Sequence, residues 1–315
     1  YIFIMSAIGI DFGNYQNVVA LVKNGKVNII TDKCSYRSFS NIISIKDKKI
    51  YSGNSAKTMY ISNYKNSFHL FKFLLNKNYH NDDILLNLNK LENNLISFKG
   101  TNDIYTCEQL IAISLNNITD RLITIDQDQK LNNIAISVPP YFTTLDKKSI
   151  LDSCKIANIY SPKIITDNLA IAIGYGFWKY VKKEFTEKKR YVMFIDIGMC
   201  ACVVSIVSYD DKDLKIMSCC WELNLGGYTI DKIILNYIKE KIFKDNKISI
   251  LNNKKKAIKT LFECEKLKKK LSISKNNIVT FTLENISQDI DYTSTISNKE
   301  FTELMKPFLE RLKKP

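Results

Sequence analysis

Residues 10–22 read Ile-Asp-Phe-Gly-Asn-Tyr-Gln-Asn-Val-Val-Ala-Leu-Val, and residues 195–207 read Ile-Asp-Ile-Gly-Met-Cys-Ala-Cys-Val-Val-Ser-Ile-Val. Each stretch predicts a buried strand, a turn that contains Asp-x-Gly and a second apolar strand. A third strand signal follows each copy, at residues 26–30 and 213–217. One Asp-x-Gly turn carries little weight, because hairpins favour these residues for backbone reasons alone. The duplication predicts two similar lobes that face one anionic ligand.

The composition favours a globular protein with a basic surface. A chain of 315 residues with 45% hydrophobic residues is long enough for about two domains. The formal net charge is +14, but only 4 of the 46 basic residues are Arg, and 31 residues are Asn. Because Arg is the preferred residue for bidentate phosphate and base recognition, this composition indicates a solvated Lys-rich surface and no nucleic-acid partner. The Lys runs at 254–256 and 268–270 are predicted to lie on solvated helix faces.

The cysteines and the apolar runs indicate in which cellular compartment the protein is expected. The eight cysteines show no Cys-x-x-Cys spacing, and Cys200, Cys202, Cys219 and Cys220 lie in strand-like runs. This pattern is typical of small buried side chains in a reducing compartment; a metal site is the weaker alternative, since the chain has two histidines without chelating spacing. No apolar run is long enough to cross a membrane, and no secretion signal precedes Met5, which is a candidate start.

Strand and helix signals alternate along the chain, which predicts an α/β fold. The predicted helices cover residues 64–75, 106–117, 168–178, 229–243, 254–271 and 299–315, and a further helix is predicted to begin at residue 143. Further strands are predicted at residues 42–45, 49–51, 133–138, 163–166, 278–283 and 286–292, with a loop and a strand within 81–99. The Thr143-x-x-Asp146 sequence predicts a capping box, and the charged stretch 182–190 is the linker candidate. Asp11, Asp167 and Asp196 fall at predicted strand ends, where carboxylates could hold a metal–phosphate group.

A set of motifs resembles the nucleotide-binding domain of the heat shock protein 70 superfamily. These motifs, in chain order, are residues 8–13, Asn66-Ser67 with Phe71-Lys72, residues 138–142, residues 164–168 with 172–176, and Leu225-Gly226-Gly227. The resemblance implies an actin-like ATPase fold in which two lobes, each with the duplicated strand–turn–strand core, flank a cleft. It further implies ATP or ADP with Mg²⁺ as the ligand.

One segment resembles a particular branch of this superfamily. Glu263-Cys264-Glu265-Lys266-Leu267-Lys268-Lys269 is similar to the matching helix of the heat shock protein 110 branch, whereas the 70-kilodalton chaperones have an Arg-rich version. Residues 5–11 also resemble the start of cytosolic members of that branch. The resemblance therefore implies a cytoplasmic stress-response chaperone.

The resemblance implies a role for each matching residue. Asp11 and Asp196 are implied to lie near the metal and to contact it through its waters. The residues implied in catalysis are Asp167, Asp196 and Lys72, of which Lys72 approaches the γ-phosphate. The residues implied in the phosphate turns and beside the nucleotide are Gly13, Asn14, Tyr15, Gly198, Gly226 and Gly227. The residues implied to clasp adenine and ribose are Glu265, Lys268, Lys269 and Ser272, which share one helix face by spacing. Taken alone, Glu265 and Lys269 also fit an exposed ion pair, and Asp167 also fits a helix cap.

Several positions depart from the family pattern. Met199 and Cys200 stand where phosphate loops have glycines, Ala201 replaces a hydroxyl residue and Val203 replaces an Asp. Backbone N–H groups need small residues to approach an anion, so this turn predicts nucleotide binding with weak or absent hydrolysis. Asp167 stands where the family has Glu and reaches one methylene less far.

The domain organisation follows from the resemblance. Lobe I is predicted over residues 6–187, with an inserted subdomain at about 38–105. Lobe II is predicted over residues 188–315, with an insert at about 228–315, and is expected to be incomplete at its C-terminal end because no Gly-Gly adenosine loop follows.

Three functions are compatible with these features. The first is the nucleotide-binding module of a heat shock protein 110-like co-chaperone, which acts as a nucleotide exchange factor for a 70-kilodalton chaperone and meets unfolded clients through regions outside this chain. The second is a weak ATPase chaperone of the 70-kilodalton type. The third is a degenerate pseudo-ATPase scaffold.

Overall fold

The structure, a computed structural model, describes residues 6–77, 85–93, 95–125, 133–182, 184, 189–210, 213–273, 278–287 and 290–315. The chain divides into two compact units. Unit 1 comprises Tyr1–Ile195 and Val204–Cys220, and unit 2 comprises Asp196–Val203 and Trp221–Pro315. The lobe and subdomain boundaries given above stay predictions.

Strands and helices alternate along the chain, as the α/β prediction requires. The strands are β1 (Ala7–Phe12), β2 (Gln16–Lys23), β3 (Lys26–Ile29), β4 (Phe39–Ser40), β5 (Ile42–Lys46), β6 (Lys49–Ser52), β7 (Ser67–His69), β8 (Leu88–Lys90), β9 (Ile96–Lys99), β10 (Ile104–Thr106), β11 (Ile134–Val138), β12 (Lys163–Thr166), β13 (Arg190–Ile197), β14 (Ala201–Tyr209), β15 (Leu214–Leu223), β16 (Ile278–Ser287) and β17 (Ile290–Ser297). The helices are α1 (Asn54–Met59), α2 (Cys107–Ile125), α3 (Thr144–Ile156), α4 (Asp167–Val181), α5 (Gly227–Asn246), α6 (Lys254–Ile273) and α7 (Asn298–Arg311).

The main sheet of unit 1 carries the first copy of the duplicated motif. Its strand order is β12-β11-β1-β2-β3, with β4 paired to β2. The pairs β12–β11 and β11–β1 are parallel, and β1–β2 and β2–β3 are antiparallel. The register pairs Asp11 with Val18, one pair before the turn. The Asp11 carboxylate therefore lies near the turn end of the β1–β2 ladder. The parallel arrangement brings the ends of β1, β11 and β12 to one edge of the sheet.

The core of unit 1 lies between this sheet and the helices α2 and α3. Alternate residues of β1 are buried, as half-buried strands require. The residues that α2 buries to 1% exposure or less are Leu110, Ile111, Ala112, Leu115, Ile118 and Leu122. They share one cluster with the β1 side chains, so the sheet edge that carries Asp11 is built on a close-packed layer.

The second copy of the motif is present, but its first strand differs from expectation. The strands β13, β14 and β15 form a sheet in that order, as the repeat predicts. The predicted burial of the first strand is wrong, because Ile195 is 57% and Ile197 is 47% exposed in β13. Val192 and Phe194 pack instead against a small unit 1 cluster around Tyr209. The apolar run therefore identified the strand but overstated its burial.

The predicted helix over residues 64–75 is wrong. A short 3₁₀ turn at Tyr64–Asn66 leads into β7, which pairs with β5. Leu70 and Asn76 then adopt left-handed conformations, with φ of 63° and 52°, which interrupt any helix. The apolar spacing was real, because Phe68, Phe71 and Leu75 are all buried, but a strand and a turn produce the same inward pattern.

Unit 2 contains α5, α6 and α7 with the β16–β17 hairpin. The strand predictions here are displaced, since β16 continues past Leu283 to Ser287 and β17 begins only at Ile290. The register shifts between Leu283 and Ser287, where Asn285 has a φ of 57°. Such a bulge inserts a residue into one strand, and the hydrophobic alternation then loses its phase.

Local signals of helix ends were more reliable. Thr143 and Asp146 form a capping box, in which the Asp146 carboxylate accepts from the Thr143 backbone and the Asp146 N–H donates to the Thr143 hydroxyl. Ser297 and Glu300 do the same for α7. The predicted box at α3 is confirmed.

Some predictions lie partly or wholly outside the described residues: the candidate start at Met5, most of the linker 182–190 and residues 81–84 of the predicted loop. All eight cysteines are free thiols, and burial raises the pKa of Cys154 to about 12. Cys200 and Cys202 are buried, whereas Cys219 and Cys220 are half-buried. Among the described residues, none of the helices combines the length and apolar character needed to cross a bilayer.

Candidate functional site

The first turn, residues 13–15, connects β1 to β2 at the sheet edge. A Cβ on Gly13 would lie 2.4 Å from the Gln16 carbonyl oxygen, so only glycine fits this bend. The side-chain oxygen of Asn14 is buried and has no hydrogen-bond partner among the described residues. The Tyr15 hydroxyl accepts a 2.9 Å hydrogen bond from the Lys57 ammonium, which also lies 4.9 Å from the Tyr15 ring centroid.

A buried asparagine supports this turn from behind. Asn41, between β4 and β5, is 1% exposed. Its side-chain amide donates to the Gly13 carbonyl at 2.8 Å, and its backbone N–H donates to the Tyr15 carbonyl at 2.9 Å. The sequence analysis did not single out Asn41, because nothing in its sequence context distinguishes it among 31 asparagines.

Two predicted carboxylates come together in unit 1. Asp11 retains access to solvent at the end of β1, and Asp167 is half-buried at the start of α4. Desolvation by neighbouring protein atoms raises the pKa of the Asp11 carboxyl, and the negative charge of Asp167 raises it further. The positive charge of Lys72 and a hydrogen bond from Ser137, 3.3 Å from the Asp11 oxygen, lower the same pKa. Burial and like-charge repulsion therefore dominate.

Lys72 is the buried cation of this cluster. It is 2% exposed and donates a hydrogen bond to the Phe12 carbonyl, next to Asp11. Its ammonium lies 5.6 Å and 5.9 Å from the ring centroids of Phe12 and Phe142, which is within cation–π range. The expected proximity of Lys72 to Asp11 is present, although Lys72 lies in a turn and not in a helix.

The second turn, residues 198–201, is built differently. The Gly198 N–H donates to the Ala201 carbonyl at 3.0 Å. The carbonyls of Gly198 and Met199 accept from the first N–H groups of α5, those of Gly227 and Tyr228, each at 2.9 Å. Helix N-terminal N–H groups are otherwise available to anions. Here the turn itself occupies two of them.

Gly226 makes this contact possible. A Cβ at Gly226 would lie 2.5 Å from the Met199 carbonyl oxygen and 2.6 Å from that of Gly198. Asp196 is half-buried one residue before the end of β13. The second turn, the Gly226–Gly227 pair and Asp196 therefore come together in unit 2.

The predicted clasp residues on α6 have partners inside unit 2. The Lys268 ammonium lies 2.8 Å from the Asp231 carboxylate and 3.0 Å from the Gly227 carbonyl. Lys269 pairs with Glu265 at 2.6 Å, and this i,i+4 pair exposes 60% of the lysine side chain. The Ser272 hydroxyl donates to the Lys268 carbonyl one turn before it. The sequence spacing did not reveal the Asp231 partner of Lys268.

The donors present in unit 1 fit a hydrated cation and a phosphate. One oxygen of Asp167 is buried without a hydrogen-bond partner among the described residues, beside the like charge of Asp11. Two facing carboxylates and an orphan oxygen suit Mg²⁺, which keeps several of its waters in protein sites. No cluster of three or more His, Cys, Asp or Glu able to ligate a metal directly occurs among the described residues, so the fit is to a water-mediated site.

Comparison with known proteins identifies one protein family and several related heat shock proteins. Residues 7–315 match the family described as Hsp70 protein. A heat shock protein homolog of Candida glabrata is 32% identical over 98% of this chain and 45% of its own length. The homolog of the same name from Saccharomyces cerevisiae is 30% identical over 98% of this chain and 46% of its own length. The 97 kDa heat shock protein of Strongylocentrotus purpuratus is 26% identical over 99% of this chain and 36% of its own length.

The chain thus spans less than half the length of these curated relatives. The relatives at about 30% identity are of the heat shock protein 110 type, as the segment 263–269 predicted. The actin-like ATPase fold that the resemblance implied is confirmed by the family match. The domain of this family is a nucleotide-binding ATPase that generally takes ATP or ADP with Mg²⁺. The chain belongs to the Hsp70 protein family.

Proposed function

We propose that this chain is the ATP/ADP-binding module of a heat shock protein 110-like co-chaperone that accelerates nucleotide exchange on a 70-kilodalton chaperone. The observation that carries the proposal is the contrast between the two turns. The first turn lies beside a cluster that contains two carboxylates and Lys72. In the second turn, the backbone groups hydrogen-bond to each other and to the first N–H groups of α5. Such a site suits nucleotide binding more than turnover.

In this proposal the first cluster holds the metal–phosphate end of the nucleotide. In unit 1, Asp11 binds waters of Mg²⁺, Lys72 neutralises the terminal phosphate, and Asp167 orients water. In unit 2, Asp196 is the residue proposed to contact the metal through its waters. The backbone of residues 13–15 contacts phosphate oxygens. When bound, Mg²⁺ supplies charge neutralisation at the phosphates.

The remaining predicted residues act at the other end of the nucleotide or beside it. Gly198, Gly226 and Gly227 allow close approach of backbone to the nucleotide. Glu265, Lys268, Lys269 and Ser272 present one face of α6 to adenine and ribose. Since Lys268 already bridges Asp231 and Gly227, its role there includes holding the face in place.

The partner is proposed to be a 70-kilodalton chaperone in the cytoplasm, and unfolded clients are proposed to be met through regions outside this chain. Branch similarity supports the partner, since the relatives are of the heat shock protein 110 type. A positive surface of net charge +14 is not proposed to bind nucleic acid, because the charge resides mainly in Lys.

The exchange role is tested with a 70-kilodalton chaperone loaded with fluorescent ADP. The protein, with Mg²⁺ and ATP, is added over a range of concentrations, and the rate of ADP release is measured by stopped flow. We expect the rate to rise with concentration and to saturate. The Asp11→Asn variant provides a nucleotide-site control and is expected to lose the acceleration. No acceleration at any concentration of the wild-type protein would refute the exchange role.

A weak ATPase is the second candidate, favoured by the approach of Lys72 to Asp11. Single-turnover hydrolysis of ATP distinguishes it, because a rate that Lys72→Ala abolishes would establish turnover. The scaffold hypothesis predicts instead that Mg²⁺-ATP does not raise the melting temperature. A folded state that binds nucleotide is stabilised by about 2.7 kcal/mol when the ligand is at 100 times its Kd.

A further inference from the structure

A buried polar network lies behind the first turn and connects it to helix α2. The Ser114 hydroxyl, on α2, donates to the Asn41 side-chain oxygen at 2.9 Å. The Asn17 amide donates to Ser114 at 3.1 Å. Asn17, Asn41 and Ser114 are between 0% and 3% exposed, so the network has little contact with water. Hydrogen bonds in such a place fix side-chain orientation firmly, because every alternative leaves a polar group unpaired.

Asn41 holds two peptide carbonyls of the turn at once. The Gly13 carbonyl accepts from its amide at 2.8 Å, and the Tyr15 carbonyl accepts from its backbone N–H at 2.9 Å. In a planar trans peptide the C=O and the N–H point in opposite directions. The N–H groups of Asn14 and Gln16, which belong to the same two peptides, therefore point away from the buried network.

Ser114, together with the Asn17 amide 3.5 Å from the same Asn41 oxygen, determines which way the Asn41 amide faces. Because its hydroxyl donates to the Asn41 oxygen, the amide nitrogen remains directed at the Gly13 carbonyl. The opposite orientation would place two oxygens against each other. The chain of contacts thus runs from α2 through one asparagine to the direction of two peptide groups in the turn.

We propose that Asn41, held by Ser114, is a positioning residue that orients the N–H groups of the first turn toward a nucleotide phosphate. Oriented backbone N–H groups bind anions, and a turn that is already ordered loses less entropy on binding. The inference rests on the proposed nucleotide-binding function. It goes beyond that function in assigning phosphate affinity to two residues that have no direct contact with the ligand.

The test measures Mg²⁺-dependent binding of a fluorescent ADP analogue by the wild-type protein and three variants. Asn41→Leu removes the amide, and Ser114→Ala removes the hydroxyl that donates to the Asn41 oxygen and accepts from Asn17. Asn63→Leu is the matched control, because the Asn63 amide also donates to a hydroxyl and a carbonyl of unit 1, at 2.8 Å and 2.9 Å, but these belong to Ser44 and Ile45 and not to the turn. We expect Kd to rise about tenfold in Asn41→Leu and about threefold in Ser114→Ala, and to stay unchanged in Asn63→Leu.

A second readout uses the nucleotide-free protein. Amide hydrogen exchange at Asn14 and Gln16 is expected to accelerate in Asn41→Leu and Ser114→Ala but not in Asn63→Leu. Urea unfolding is expected to show a similar loss of global stability in all three variants, so that stability alone does not explain the difference in exchange. If Asn41→Leu does not fold, Ser114→Ala decides. Wild-type Kd and exchange rates in both network variants would overturn the positioning role alone. Absence of nucleotide binding by the wild-type protein would overturn the proposed function and this inference with it.

Discussion

Two neighbouring lysines on α6 should differ sharply in their contribution to stability. Lys268 has a side chain that is only 19% exposed and pairs with Asp231, whose side chain is 8% exposed. Lys269, one residue later, pairs with Glu265 but exposes 60% of its side chain. Replacing each lysine by Met keeps a long unbranched side chain and removes only the charge and its hydrogen bonds.

The expected magnitudes follow from burial. Removing one partner of a fully buried ion pair costs about 3–5 kcal/mol, because the other charge stays buried without compensation. Since water still reaches part of Lys268, we expect about 2–3 kcal/mol for Lys268→Met. An exposed i,i+4 pair contributes about 0.3–0.5 kcal/mol, so Lys269→Met should lose no more than that.

The pH dependence of the Lys268→Met effect has a definite sign. Burial raises the pKa of Asp231 above its ordinary value of 3.8, and the hydrogen bond and charge of Lys268 lower it. Without Lys268 the native pKa rises further. A raised native pKa gives stability that is present below pH 3.8 and lost as pH rises through the native pKa. The deficit of the variant should therefore be largest at pH 7 and should shrink as pH falls toward about 4.

Urea unfolding of the nucleotide-free protein measures these losses. Trp221 lies in unit 2 and Trp178 is 62% exposed in unit 1, so a Trp178→Phe background leaves Trp221 as a reporter of unit 2. The double variant Lys268→Met with Asp231→Leu should recover most of the loss, because no charge is then left unpaired. Equal losses for Lys268→Met and Lys269→Met, or a Lys268→Met deficit that does not shrink on acidification, would refute the reasoning.

Three further predictions concern other parts of the chain. Gly226→Ala should destabilise unit 2 by about 2 kcal/mol in the same unfolding assay, since its Cβ would lie 2.5 Å from a backbone carbonyl oxygen. Gly174→Ala, in open space on α4 of unit 1, should stabilise by about 0.5–1 kcal/mol in urea unfolding followed by circular dichroism, without the Trp178→Phe change. Asp167→Asn should stabilise the nucleotide-free protein by about 1 kcal/mol, because it removes the charge that repels Asp11, and should weaken Mg²⁺-nucleotide binding in calorimetry. The exposed thiol of Cys34 should react with a thiol reagent well before the buried cysteines do; a uniform rate would contradict the burial pattern.

The sequence was sufficient for features whose cause is local. Apolar runs on either side of an Asp-x-Gly turn predicted β1, β2, β13 and β14, because these turn residues are typical of a hairpin that joins two strands. The Thr143–Asp146 spacing predicted a capping box, because both hydrogen bonds lie within four residues. Repetition of the Asp-x-Gly motif added long-range information that neither copy contained alone.

Features that depend on partners distant in the chain could not be predicted in this way. The segment around Phe68 became a strand because β5 offers it a pairing edge, and helical spacing contains no information about that edge. Asn41 reaches residues 13 and 15 across the fold, and Asp231 meets Lys268 between two helices. The sequence predicted a ligand-facing role for Lys268, and the structure adds two protein acceptors for its ammonium, the Asp231 carboxylate and the Gly227 carbonyl.

The difference between the two turns has a physical origin in what satisfies their carbonyls. In the first turn, the carbonyls of Gly13 and Tyr15 accept from Asn41, an interior residue, so the N–H groups of the same peptides are directed outward. In the second turn, the carbonyls of Gly198 and Met199 accept from the N-terminus of α5, and those helix N–H groups are no longer available for a phosphate. One turn therefore gains oriented donors from its supporting contacts, whereas the other consumes donors in making them. This difference supports the proposal of nucleotide binding without efficient hydrolysis, because hydrolysis also requires in-line geometry at the phosphate.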